Sequence, residues 1–141
     1  MPKKKQVEVK CPYCGVNNQT SVWNTINAQL NPDEKTALLN GDINVFTCPK
    51  CAKNVFVDKT LLYQDTENNF WTYYIPFEIV NTWDLSKVLT PGGRLKAAER
   101  YEATSGSDNK VEVHFVLDMG ELVRYIKFRD AICESYKLRE D

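Results

Sequence analysis

Four of the five cysteines in this chain fall into two copies of one short pattern, Cys11-Pro12-Tyr13-Cys14 and Cys48-Pro49-Lys50-Cys51. Two cysteines separated by two residues put both sulfurs on one side of a tight turn, close enough to bind a single cation. Proline in the second position presets the backbone angle that such a turn needs. The chain must then bend back toward the sulfurs, which Gly15 permits easily and Ala52 less easily. Two such units supply four thiolates, the tetrahedral set of a closed structural zinc site, with no position left for a catalytic water. One zinc ion held by Cys11, Cys14, Cys48 and Cys51 is therefore the expectation. The intervening residues 15–47 do not count against it, because closing a longer loop costs only slightly more. A thioredoxin-like redox pair is the competing reading. It favours one Cys-x-x-Cys at the start of a helix, whereas here there are two units with strand-like sequence around both.

The redox compartment matters to that choice. The chain has 141 residues, 43% of them hydrophobic and 26% charged, enough for one domain with a core. No apolar run approaches ~18 residues, so no membrane span is expected. Lys3-Lys4-Lys5 is followed by Gln6-Val7-Glu8-Val9-Lys10 rather than by the apolar stretch of a signal peptide. A cytoplasmic location follows as the expectation, and in a reducing compartment paired cysteines read as metal or redox chemistry rather than as disulfides. Eighteen basic and nineteen acidic residues leave the chain near neutrality, which does not favour a nucleic-acid ligand.

The elements that must position the cysteines can be read along the chain. Residues 1–6 are expected as a flexible tail and 7–141 as a single domain. Val7 and Val9 alternate with polar residues into the first Cys pair, and Thr20 to Ile26 is strand-like. Asn31-Pro32-Asp33-Glu34 reads as a helix start, with Asn as cap, and Asn40-Gly41 as its end. Short strands are expected on both sides of the second Cys pair, at 43–47 and 55–57. Leu61 to Gln64 and Phe70 to Phe77 flank the polar turn Asp65-Thr66-Glu67-Asn68-Asn69 and predict a hairpin, whose aromatic residues should pack mostly against the C-terminal helix. The stretch 78–101 carries no clear signal beyond a turn at Pro91-Gly92-Gly93 and a short helix from Leu95 to Glu102, with a loop at Ser105 to Asn109. A half-buried strand at 111–117 then leads to Asp118 and Glu121, which form a capping box for the last helix. The expected class is α+β: a zinc-ribbon-like knuckle layer, an antiparallel sheet, and one or two covering helices.

The two Cys-Pro-x-Cys motifs, the Asn40-Gly41-Asp42-Ile43-Asn44 to Thr47 segment, and the Phe115-Val116-Leu117-Asp118 step into Glu121-Leu122-Val123 together resemble the CpXC domain family of bacteria and archaea. The resemblance runs from about Val9 to Glu134. It implies one domain with a four-cysteine metal site and brings no activity with it.

Other reactive residues have ordinary explanations. His114 is expected on the exposed face of its strand, in phase with Glu112, rather than as a catalytic base. Cys133 is expected as a buried, inert thiol, and a Cys133–His114 dyad would need a proximity nothing in the sequence supplies. Capping accounts for Asp118 and Glu121. Pro91-Gly92-Gly93-Arg94 lacks the spacing of a phosphate loop. Lys10, Lys50, Lys53 and Lys59 gather around the cysteine motifs, where they either offset thiolate charge or meet nucleic-acid phosphate. The expected function is thus a zinc-stabilised binding module without catalytic activity that recognises a protein partner. A nucleic-acid-binding zinc ribbon is the alternative, a thiol-redox protein or enzyme lies behind both, and no small-molecule substrate is identified.

Overall fold

The structure, a computed structural model, describes residues 3–77, 85–105 and 110–140. Among the described residues, seven strands and three α-helices follow in the order β1 (Lys3–Lys10), β2 (Asn17–Asn27), α1 (Pro32–Leu39), β3 (Val45–Thr47), β4 (Asn54–Phe56), β5 (Leu61–Asp65), β6 (Phe70–Tyr74), α2 (Lys96–Ser105), β7 (Glu112–Val116) and α3 (Met119–Glu140). The fold is α+β. Five strands form one sheet in the order β1-β2-β5-β6-β7, and β3 and β4 form a separate hairpin.

The large sheet is mixed rather than wholly antiparallel. β1–β2 and β5–β6 are antiparallel, but β2–β5 and β6–β7 are parallel. Each parallel pair needs a crossover. Between β2 and β5 the crossover carries α1, and between β6 and β7 it carries α2. The two crossovers step across the sheet in the same direction while the strands they leave point oppositely, so equal handedness must put them on opposite faces. It does: Leu38 of α1 packs in a core with Ile26, Leu61, Tyr63, Phe70 and Ile126, while Leu95 and Ala98 of α2 pack with Leu62, Trp71 and Val111. Three helices therefore cover the sheet, α1 and α3 on one face and α2 on the other, where one or two were expected. Covering both faces explains the unbroken apolar run Leu61-Leu62-Tyr63. It also divides the aromatic residues of β6. Phe70 meets Tyr125 of α3 edge-on, whereas Trp71 packs on Tyr101 of α2.

Several local expectations change. The expected tail over residues 1–6 is strand from Lys3 onward, since each residue finds a partner on β2. The three lysines suit it: β1 is an edge strand, and edge charge discourages pairing with other chains. α1 starts and stops where expected, but Asn31 does not cap it through its side chain; its Oδ1 accepts instead from the Asn27 N–H, closing the preceding turn. Asp118 does cap α3, accepting from the Glu121 N–H at 3.2 Å, and α3 continues unbroken through 128–136. Of the loop expected at Ser105 to Asn109, residues 106–109 lie outside the described residues, as do 78–84 of the unassigned stretch.

One ion pair fastens the α2 side. The buried Glu102 carboxylate accepts two bonds from Arg94, at 3.0 and 3.1 Å, and a third from the Val111 N–H at 2.7 Å. The Arg94 fork, the Val111 N–H and nearby Lys110 outweigh burial and hold the Glu102 carboxyl down at about 2. Because the folded value lies below the unfolded one, the stabilisation is fully present above about pH 4.5 and is lost as pH falls toward 2. Glu102→Ala is expected to cost about 2 kcal/mol at neutral pH, since charged hydrogen bonds contribute about 1.5–3 kcal/mol and Arg94 is partly exposed to screening solvent. Urea melts of wild type and variant taken at successive pH values check this: the gap between them should close between pH 4.5 and 2.

Candidate metal centre

Knuckle geometry follows from the two motifs almost symmetrically. In the first, Gly15 N–H donates to Cys11 C=O at 2.9 Å and Cys11 N–H to Val16 C=O at 2.9 Å. In the second, Ala52 N–H donates to Cys48 C=O at 2.8 Å and Cys48 N–H to Lys53 C=O at 2.9 Å. The residue after each motif adopts the left-handed conformation, with φ of 79° at Gly15 and 60° at Ala52. A side chain there costs about 1–2 kcal/mol. Gly15→Ala should therefore destabilise the metal-loaded protein by about 1 kcal/mol. Ala52→Gly should stabilise it by somewhat less than about 1 kcal/mol, because glycine also loosens the unfolded chain. Denaturation midpoints of the two variants should shift in opposite directions.

The knuckles meet. The first joins β1 to β2 and the second is the turn of the β3–β4 hairpin. All four sulfurs lie within 4.8 Å of one another. Cys11 and Cys51 sulfurs are 3.7 Å apart and those of Cys14 and Cys48 are 3.6 Å apart. These spacings are far beyond a disulfide bond, and all five cysteines are free. They match the edge of a sulfur tetrahedron about 3.8 Å long, which follows from metal–sulfur bonds of about 2.3 Å. The donor set fits a metal ion.

The surroundings favour thiolate at Cys48 and Cys11 and oppose it at Cys14. Cys48 is brought down to about 6 by the N–H groups of Cys51 and Lys50 and by the neighbouring sulfurs, against the opposing effect of burial. Burial pushes Cys11 up, but the N–H groups of Cys14 and Tyr13 and the sulfurs of Cys14 and Cys51 leave it lowered overall. At Cys14 the Val16 N–H pulls downward, yet burial and the sulfurs of Cys11, Cys48 and Cys51 push it up to about 11. Asn18 Nδ2 also points at the Cys48 sulfur, at 3.7 Å. Backbone donors and one amide thus spread the negative charge that four sulfurs concentrate.

The profile of the CpXC protein family matches residues 9–134. The chain belongs to the CpXC family. No curated protein and no solved structure matches it. In this CpXC chain a second clamp, missed from sequence, holds the two knuckle-bearing hairpins together. Thr25–Asn27 of β2 pair with β5, and the rest of that edge of β2 meets no strand among the described residues. Asn44 fills it at Trp23: its Oδ1 accepts from the Trp23 N–H at 2.8 Å and its Nδ2 donates to the Trp23 C=O at 3.1 Å. Its own C=O accepts from the Val57 N–H at 2.8 Å. Asn44 has φ of 58°, a conformation asparagine tolerates better than most residues. That tolerance is the signal the Asn40-Gly41-Asp42-Ile43-Asn44 turn carried.

The remaining singled-out residues divide. Lys10 reaches over Gly15, Lys50 is exposed within the second knuckle, and the Lys53 ammonium sits 4.6 Å from the centre of the exposed Tyr13 ring. Lys59 lies beyond the other end of the β3–β4 hairpin, so three of the four lysines share the knuckle surface. His114 is exposed, as expected, and stacks on Tyr125, with ring centres 4.0 Å apart. Cys133 is half-buried rather than buried, and lies two helical turns beyond Tyr125, about 12 Å along α3. The structure does not bring His114 and Cys133 together. No helix among the described residues is long and apolar enough to cross a membrane.

Proposed function

We propose that the CpXC chain is a zinc-pinned module that recognises a protein partner and performs no catalysis of its own. Zinc suits four thiolates in a tetrahedron, and with every position taken by sulfur no site remains for a reacting water. Five free thiols are suited to a reducing interior such as the cytoplasm.

The observation that carries the reading is an apolar groove of about 590 Å³ between the β3–β4 hairpin, the end of α1 and the start of α3. Val45 and Phe56 stand directly opposite each other on the hairpin, 39% and 42% exposed. Leu39, Ile43, Met119 and Val123 complete the groove, and Arg124 is the one charged residue among those that line it. The metal fixes the hairpin and so shapes one wall. A groove of this kind fits a segment of another protein that presents apolar side chains flanked by a carboxylate.

The test is affinity capture of partners on the zinc-loaded protein, with and without nuclease, beside Phe56→Asp and Arg124→Glu variants. A protein that survives nuclease, tolerates salt and is lost from both variants supports the reading. Nucleic acid recovered instead, with affinity falling steeply with salt, would transfer the function to the surface of Lys10, Lys50, Lys53 and Tyr13. Elemental analysis should give one zinc per chain; a coloured, iron-containing protein would overturn the metal assignment.

A further inference from the structure

The second half of α3 is apolar on the face that points away from the sheet. Leu122 and Ile126 are fully buried in the core. Half a turn round the helix from Ile126 lie positions 124, 128, 131 and 135, where a surface helix normally carries charge. Arg124 fits that rule. Beyond it, however, Phe128, Ala131, Ile132, Ser135 and Tyr136 surround a hollow of about 410 Å³. Phe128 is 61% exposed and Tyr136 63%. A contiguous exposed patch of this kind marks an interaction surface, where a single exposed ring would not.

The face is complementary to itself. Phe128 is a projecting ring, and Ala131 and Ser135 are the small residues that leave space beyond it. Lys127 and Glu134 are both exposed, and neither has an ion pair among the described residues. They stand seven residues apart, so they share one flank of the helix with about 10 Å between them. A second α3 can be laid against the first in the opposite direction, with a two-fold axis between Asp130 and Ala131. Lys127 of each copy then comes level with Glu134 of the other. The same register brings Phe128 of each copy level with the space between Ala131 and Ser135 of the other. Charge and shape thus select one arrangement independently. A parallel arrangement would instead set Lys127 against Lys127 and Phe128 against Phe128.

From this double match we propose that the chain forms an antiparallel, two-fold symmetric dimer through the outer face of α3. Such an interface is isologous, as in most homodimers. Aromatic rings bury roughly 150–250 Å² each, so four partly exposed rings supply an area at the low end for specific interfaces. The dissociation constant is therefore expected in the micromolar range. Lys127, Phe128, Ala131, Glu134 and Ser135 are not among the residues that line the groove beside the β3–β4 hairpin, so the dimer does not rest on the groove's role.

The experiment is sedimentation equilibrium of the zinc-loaded full chain across the micromolar range, in reducing buffer so that no disulfide through Cys133 contributes. A monomer–dimer equilibrium is expected. Phe128→Asp, at an exposed position, should weaken it about a hundredfold, because it places a charge at the centre of the contact. Lys127→Glu and Glu134→Lys should each weaken it about tenfold by turning two attractions into repulsions. The double exchange Lys127→Glu with Glu134→Lys should restore it, which no general loss of folding could do. A chain that stays monomeric throughout would overturn the proposal. So would a dimer that survives Phe128→Asp but is lost in Phe56→Asp, since the second copy would then occupy the groove. Failure of the double exchange to restore association would overturn the antiparallel register.

Discussion

Cys48→Ser is expected to remove the metal and melt the knuckle layer while leaving the rest of the domain folded. Structural zinc contributes roughly 10 kcal/mol or more of apparent free energy in sites of this kind, more than any single contact in the protein. The loss should stay local because the cluster around the site is small and separate. Cys11, Cys48 and Val55, with Val16 and Phe46 against them, form their own packing unit. The cores under α1 and α3 and under α2 contain none of the four cysteines. Hydrogen exchange resolves this directly. Amides of residues 11–16 and 44–57 should lose protection in the variant or on chelation, and those of β5, β6 and the first half of α3 should keep it. Equal protection with and without metal would show that the knuckles hold themselves. Cys133→Ser is the control; it lies outside the four-sulfur cluster and should leave metal content at one per chain.

The second large effect is expected at Asn44, which lies outside the cluster of four cysteines. Asn44→Ala leaves the Trp23 N–H and C=O on β2 without partners, each costing about 1–3 kcal/mol if water does not reach it. Alanine must also adopt the left-handed conformation that asparagine tolerates. The sum is a destabilisation of about 3 kcal/mol. Asn44→Asp separates the contributions, because it keeps the acceptor for the Trp23 N–H but turns the donor to the Trp23 C=O into a repelling carboxylate. Metal affinity should fall in both variants, since the two hairpins would no longer be held in register before the cation arrives. Chemical denaturation and competition with a chelator check the two halves of this expectation. A variant with unchanged metal affinity would show that the four sulfurs alone align the hairpins.

Local chemistry made much of this protein legible from its sequence. The Cys-Pro-x-Cys units each encode a turn that points two sulfurs the same way, so the four cysteines that cluster could be named without any knowledge of the fold. Asn31-Pro32-Asp33-Glu34 and Asn40-Gly41 bracket α1 because proline suits the start of a helix and Asn-Gly its end. Asp118 and Glu121 mark the start of α3 for the same kind of reason. Even the strain at Ala52 was visible, since a residue after such a turn must bend back. All of these signals act between near neighbours in the chain, the range over which sequence specifies backbone geometry directly.

Contacts between distant residues were not legible in this way. Nothing near Leu61 indicates that β5 will lie parallel to β2, because that pairing depends on the direction and handedness of a long crossover. Nothing near Trp71 indicates that it will face α2 rather than α3, because alternation along a strand shows that two faces exist and not what covers each. Lys3 to Gln6 read as tail because the β2 edge that pairs with them is not local. The same holds for Asn44 reaching Trp23 and for Glu102 joining Arg94 to Val111. The four clustered cysteines and the helix boundaries are thus written in short stretches of chain. Which edges, faces and charges meet is settled only when the whole chain packs around two cores at once, because each such contact joins residues that local chemistry does not relate.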